Sequence, residues 1–476
     1  MSYECVIGLE VHVELNTKSK IFCSCSTEFG GAPNTHVCPV CLGLPGALPV
    51  LNKEVVSSAI KAGLALNCSI TEKGRQDRKN YFYPDLPKAY QISQNELPIA
   101  LGGYMNIETA LGNRQVGITR VHIEEDAGKL IHEASGGTLI DYNRGGVPLI
   151  EIVSEPDMRS AEEVKAYLQK LRATMLYLDI SSCKMNEGAF RCDVNLSVRK
   201  KGSQTLGTRT EMKNLNSFAF IMKAIESEKE RQIAVIEGGG EVVQETRRWD
   251  AQKNQSFAMR SKEDAHDYRY FPDPDLMPIV IKSQEIQAIK DKLPQLPEDY
   301  RVLFSQQYGI KGDISEQLVK DKAIADYFSK AASMTKTPEI FANLLIMEVS
   351  KFLDTGSENV VIPIKHEHFA ALVNLVGERK ISTNIAKKVL SSMWQTTESP
   401  QKILDDKNWW PIVDREVLLV LGREILKKTP QIASDYRAGK KQALGAFMGQ
   451  MMKATEGKAD PSIAEEIFTT QLIHEI

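Results

Sequence analysis

Residues 6–15 read V-I-G-L-E-V-H-V-E-L, and this strict alternation leaves the segment one regular way to fold. On an extended chain successive side chains point to opposite faces. Ile7, Leu9, Val11, Val13 and Leu15 therefore share one side, and Glu10, His12 and Glu14 the other. Burying the apolar side gives a strand whose outer face sets a histidine between two glutamates, with no lysine among them. A plain solvated face is the bland alternative, and the missing lysine weakens it. Side chains two apart on one face stand about 7 Å apart, near enough for two of them to hold one ion.

Similar polar groups recur on other strand-like segments. Residues 191–199 alternate with Cys192, Val194, Leu196 and Val198 inward, and Asp193 and Asn195 outward. Residues 117–128 hold His122, Glu124, Glu125 and Asp126, and the pattern places Glu125 on the Val121/Ile123 side. Glu151 lies in the apolar run P-L-I-E-I-V, where a carboxylate needs a partner or an ion. Glu211 and Lys213 stand together in the strand-like stretch 208–213. Many carboxylates beside one histidine suit Mg²⁺, a hard ion that takes a few oxygens and shares them with phosphate.

At 476 residues the chain is too long for one core, so two or three domains are expected. Strands broken by helical patterns at 55–66, 160–178 and 218–236, without regular βαβ alternation, indicate an α+β fold. Near Leu293-Pro-Gln-Leu-Pro297 the texture changes to helical segments at 298–307, 313–332, 339–353 and 366–376. A second break falls around 396–402. The expected division is an α+β body over 1–293, an all-helical domain over 294–400 and a small helical tail domain over 401–476.

Lys+Arg 59 against Asp+Glu 62 gives a net charge of −3, so nucleic-acid contact has to come from local patches. One such patch is Arg437, Lys440, Lys441, Lys453 and Lys458 in the tail. No run approaches the ~20 apolar residues of a membrane span, and the opening segment, with Glu4 and Glu10, does not read as a signal peptide. Eight cysteines are too sparse for a secreted disulfide scaffold, which points to a reducing, cytoplasmic setting.

Four of those cysteines form C-x-C and C-x-x-C knuckles at Cys23, Cys25, Cys38 and Cys41. Four thiolates on two short turns suit tetrahedral Zn²⁺, and a closed set with no open position suits a structural ion. His36, inside the loop, reads as a surface residue. The segment 77–90 interleaves Arg78, Lys79 and Lys88 with four aromatics, and residues 267–273 have a similar flavour. Cations that hold phosphates beside rings that stack on bases suit a single-stranded RNA end. Residues 202–209 have P-loop glycine spacing but lack the Lys-Ser/Thr pair, so no nucleotide motif is assigned there.

At L-I-D-Y-N-R-G-G-V-P-L-I-E-I-V-S-E-P, residues 139–156, the chain resembles the B-subunit family of tRNA-dependent Asp/Glu amidotransferases, GatB/GatE. D-R-K-N-Y-F-Y-P-D-L-P-K-A-Y-Q-I-S-Q, H-I-E-E-D-A-G-K, D-Y-R-Y-F-P-D-P-D and M-G-Q-M-M-K-A-T-E-G-K-A-D-P carry the same likeness across the whole length. The resemblance implies a cradle-like α+β domain followed by helical and tail domains. It also implies a heterotrimer, completed by an amidase partner and a small third protein that straps the two large ones together. Its substrate would be misacylated Glu-tRNA(Gln) or Asp-tRNA(Asn). ATP would activate the side-chain carboxylate, and ammonia from the amidase would displace phosphate. By the same resemblance Glu10, His12 and Glu125 are the first metal candidates. Glu151, Asp193 and Glu211 are further cofactor-binding candidates. Lys79 and Lys88 become contacts to phosphate or the acceptor carboxylate, with Tyr81 and Tyr83 near the tRNA end. The cysteine quartet occurs in part of the family, and all four residues stand here. The competing expectation is a zinc-stabilised tRNA-binding and assembly protein without chemistry of its own.

Overall fold

The computed structural model describes residues 2–110, 112–133, 136–261, 267–353 and 361–475. The chain divides into two compact units, residues 1–296 and 297–476. The first is built on a nine-stranded sheet. From one edge its strands run Gln255–Ser261, Glu245–Asp250, Thr210–Lys213, Phe190–Lys200, Tyr3–Glu14, Pro148–Ser154, Gly112–Glu125, Ala100–Thr109 and Ser69–Ile70. The pairings are antiparallel except that of Thr210–Lys213 with Glu245–Asp250. The α+β class follows from that pattern, since a doubly wound sheet would be mainly parallel.

The alternating strands do what their patterns require. Ile7, Leu9, Val11 and Val13 are fully or almost fully buried with Cys192, Val194 and Leu196 of the neighbouring strand. Over this face pack the helices Lys53–Ala65, Ala161–Tyr177 and Phe218–Glu237. Ser160 caps the second helix by accepting from the Glu163 backbone N–H, as its position before Glu163 predicts. The opposite, polar face carries Glu10, His12 and Glu14.

A three-stranded sheet joins the two aromatic–basic segments. Phe271 pairs with Arg78 and Pro272 with Asp77, while 77–80 also pairs with Tyr90–Ser93. Arg78 is fixed by Asp273 at 2.7 Å and Asp275 at 2.9 Å, and its guanidinium lies 4.3 Å from the Tyr90 ring centre.

The second unit is helical. Two of its expected helices are corrected. The stretch 313–332 forms two helices, Gly312–Leu318 and Lys322–Ala332, because the Asp321 side chain accepts from the Ala323 and Ile324 N–H groups and starts a new one. The stretch 339–353 is the helix Pro338–Met347 followed by a single 3₁₀ turn, Val349–Lys351. Phe304, Phe328, Phe341 and Phe369 form a buried aromatic chain, with successive ring centres 4.9, 5.4 and 4.5 Å apart. The C-terminal helices have an apolar cluster of their own around Leu418, Leu426, Phe447, Met451, Phe468 and Leu472. Gly422 permits it, since a Cβ there would stand 2.4 Å from Leu472 Cδ1. Among the described residues no helix is long and apolar enough to cross a membrane.

Candidate active site and thiolate knuckle

Strand register gathers the polar face. His122, Glu151 and His12 are direct cross-strand neighbours on three adjacent strands, and Arg191 follows on a fourth. Glu124 lies two residues from His122, on the same face. His12 Nε2 stands 3.4 Å from Glu151 Oε2 and 3.5 Å from Glu124 Oε1. His122 Nε2 stands 3.2 Å from that same Glu151 oxygen and 3.5 Å from Glu124 Oε2. Two carboxylates are thus clamped between two imidazoles. His12 and Glu151 are the open members, with side chains 20% and 12% exposed, whereas His122 and Glu124 are buried.

Burial alone would strip charge from all four groups, but their mutual attraction wins. Glu151 and Glu124 hold His12 above the ordinary histidine value and lift His122 to about 9. The imidazoles in turn hold Glu151 well below the usual carboxylate range, and Glu124 below it as well. Glu10, nearby on the same strand, goes the other way: burial and then the Glu151 charge raise it.

One nitrogen of His12 and one oxygen each of Glu124 and Glu151 lie within 4.8 Å of one another. That donor set of oxygens with one imidazole fits a hard divalent cation. Of the residues singled out from sequence, His12 and Glu151 are in this group. Glu125 is not. It falls on the other side of its strand, where Lys88 Nζ meets one carboxylate oxygen at 2.7 Å and the Ile92 N–H donates to the other at 2.8 Å. Strand alternation is the reason, and the same alternation brings in Glu124 and His122, which the residue choice passed over. Glu10 accepts from Asn195 Nδ2 at 2.9 Å, beside rather than within the group. Asp193 and Glu211 are tied together by Lys213, at 2.5 and 2.8 Å.

Lys79 borders the acidic face. Burial opposes its charge, but Glu124 and Glu151 help keep it above the usual lysine value. Its ammonium lies 4.8 Å from the Tyr268 ring centre and 5.9 Å from that of Tyr81. Phe82 and Tyr83, next along the chain, are exposed.

The four cysteine sulfurs at 23, 25, 38 and 41 also lie within 4.8 Å of one another. Cys38 and Cys41 Sγ are 3.9 Å apart, against roughly 3.8 Å for two sulfurs bonded at ~2.3 Å to one tetrahedral ion. The turn that brings them together is closed by Leu42 N–H to Cys38 O at 3.0 Å, with Gly43 in the left-handed region. His36 stays outside the quartet and is half-buried. A cavity of about 380 Å³ separates the knuckle from the Lys88–Glu125 pair. In the tail, Arg437 is occupied by the Ile473 carbonyl at 2.7 and 3.0 Å, and Lys440 by Asp435.

A sheet with helices on one face and clustered acids and imidazoles on the other, beside a separate thiolate knuckle, defines an α+β protein with two candidate metal-binding groups. Residues 5–287 match the model of the GatB/GatE catalytic domain, and residues 326–472 that of the GatB domain. The most similar relatives include B subunits of aspartyl/glutamyl-tRNA(Asn/Gln) amidotransferases. The chain is 52% identical over 477 residues to the one from Caldicellulosiruptor bescii, covering 99% of both chains. It is 51% identical to that of Caldanaerobacter subterraneus, covering 99% of this chain and 100% of the relative. It is 52% identical to that of Agathobacter rectalis, covering 98% of both. This chain belongs to the GatB/GatE family of amidotransferase B subunits.

Proposed function

We propose that the chain is the tRNA-acting component of a cytoplasmic ATP-dependent amidotransferase, a carbon–nitrogen ligase. It would work in a heterotrimer with an amidase partner and a small third protein that straps the two large ones together. Its substrates are Glu-tRNA(Gln) and/or Asp-tRNA(Asn), whose side-chain carboxylate is phosphorylated by ATP and then amidated by ammonia from the amidase, giving Gln-tRNA(Gln) or Asn-tRNA(Asn). Relatives of nearly identical length bear the matching name.

The observation that carries this reading is the clamp of His12, Glu124, Glu151 and His122 on the open sheet face. Acyl-phosphate formation brings two anions together, and a carboxylate is a poor electrophile until activated. His12, Glu124 and Glu151 would hold Mg²⁺, which would supply the charge neutralisation such a transfer needs. His122 orients Glu151 and Glu124 from behind. Lys79 lies where it can pair with phosphate or the acceptor carboxylate, and Tyr81, Tyr83 and Tyr268 offer ring surface to the terminal adenosine. Glu10, Asp193 and Glu211 form an outer acidic margin whose charge Lys213 already offsets. Glu125 and Lys88 hold the Tyr90–Ser93 strand against the main sheet. The cysteine quartet suits a closed, structural Zn²⁺.

The test is the reconstituted trimer supplied with each misacylated tRNA and ATP. His12→Ala and Glu151→Ala should each lose phosphate transfer to the aminoacyl group, while tRNA binding persists. Undiminished phosphate transfer in both variants would instead favour a zinc-stabilised tRNA-binding and assembly protein.

A further inference from the structure

Lys20 is a buried cation that the reading above leaves unused. Its side chain is 0% exposed. The ammonium donates to the Tyr142 carbonyl at 3.1 Å and lies 3.8 Å from Cys41 Sγ. Among the described residues no carboxylate forms an ion pair with it. The stem is enclosed as well: Gly146, with φ +82°, passes so near that a Cβ there would meet Lys20 Cδ at 3.5 Å and Cys41 Cβ at 3.7 Å.

A buried ammonium needs both hydrogen-bond acceptors and a counter-charge. One carbonyl satisfies one of its three N–H donors and supplies no charge. The thiolate quartet is the neighbour able to do so, because a divalent ion with four thiolates retains a net charge of two minus. We propose that Lys20 is the counter-ion of the metal-bound quartet: its ammonium faces Cys41 Sγ, offsets the centre's negative charge and sets how firmly the metal is held. This rests on the reading that the quartet holds a metal. Lys20 also fastens the knuckle to the 142–146 turn, whose Gly146 N–H donates to the Asp126 carbonyl at 2.9 Å, just beyond the strand that carries His122 and Glu124.

The experiment compares the full native chain, loaded with zinc, with Lys20→Met, which removes the charge and keeps an unbranched apolar stem. Lys20→Gln serves as a second neutral variant should the first not fold, and Lys20→Arg retains the charge. Metal content is measured first, then the rate of zinc transfer to an excess of a chromophoric chelator, then the melting temperature with and without chelator. The neutral variants should release zinc about ten- to a hundredfold faster, the usual effect of removing a group that supports metal ligands. Lys20→Arg should stay within a few-fold of the native rate. Neutralisation should lower the melting temperature of the zinc form and raise that of the chelated form, where the ammonium has lost its partner. Equal release rates in native and neutral chains, or the same melting shift with and without metal, would make Lys20 a packing residue and overturn the assignment. A native chain that purifies without metal and takes up none would overturn the metal reading itself, a result distinguishable from the others at the first measurement.

Discussion

His12 Nε2 reaches carboxylate oxygens from two neighbouring strands within 3.5 Å, and Glu151 Oε2 is shared by two imidazoles. Removing the charge at that shared oxygen should therefore cost more than removing a peripheral acid. Glu151→Gln is expected to lower phosphate transfer to misacylated tRNA by about 10²–10³-fold in single-turnover assays. Glu211→Gln, already neutralised by Lys213, should cost about tenfold or less. A second expectation concerns pH. His122 is raised in the folded chain to about 9 from the ordinary 6.5, so in metal-free protein its contribution to stability is fully present below about 6.5. That contribution is lost as pH rises through about 9, and His122→Gln should flatten this alkaline fall in a series of melting temperatures against pH. At this scale the sequence was legible where alternation was strict, since His12 lies on the polar face its pattern assigns, and where burial demanded partners, since Glu151 in its apolar run meets two imidazoles. Glu125, chosen by family likeness, lies outside the His12–Glu124–Glu151 group, on the side its own parity with Val121 and Ile123 indicates. Glu124 was one residue away, on the side the pattern indicates.

Among the elements, the central strand owes its place to an uninterrupted apolar side. Leu9 is 1% exposed, and Leu9→Ala should destabilise the first unit by about 2–5 kcal/mol in denaturant unfolding, through lost burial and the cavity left behind. Asp321 makes the complementary case. Its cap starts the helix Lys322–Ala332, and Asp321→Ala should cost roughly 1 kcal/mol without altering the fold. An aspartate inside an otherwise periodic stretch is the signal that separates the two helices there. Periodicity alone runs through it, because apolar spacing continues on both sides. The pairing of 77–80 with Phe271–Pro272 was not legible at all, since composition shows that two segments are alike and not that they touch.

For the molecule as a whole, strand order converts separate acidic segments into one site. His122 and His12 are more than a hundred residues apart in sequence and meet only because Pro148–Ser154 lies between their strands. No local pattern encodes that adjacency. The helical unit has a similar lesson for dissection. Ile403 and Leu404 are buried, and their helix packs on the helices before it, so a cut at 403 would damage what remains. A chain ending near residue 411 should keep ATP affinity in the assembled trimer and lose tRNA affinity about tenfold or more, as measured by filter binding. Equal dissociation constants would remove the tail from tRNA recognition.

The most direct measurement is anomalous scattering from crystals of the assembled enzyme soaked with Mn²⁺ and a non-hydrolysable ATP analogue. A peak within about 2.0–2.3 Å of His12 Nε2 and of oxygens from Glu124 and Glu151, with phosphate oxygens completing the shell, is the predicted result. A peak held instead by Glu125 on the far side of the strand, or a nucleotide bound away from the clamp, would contradict it.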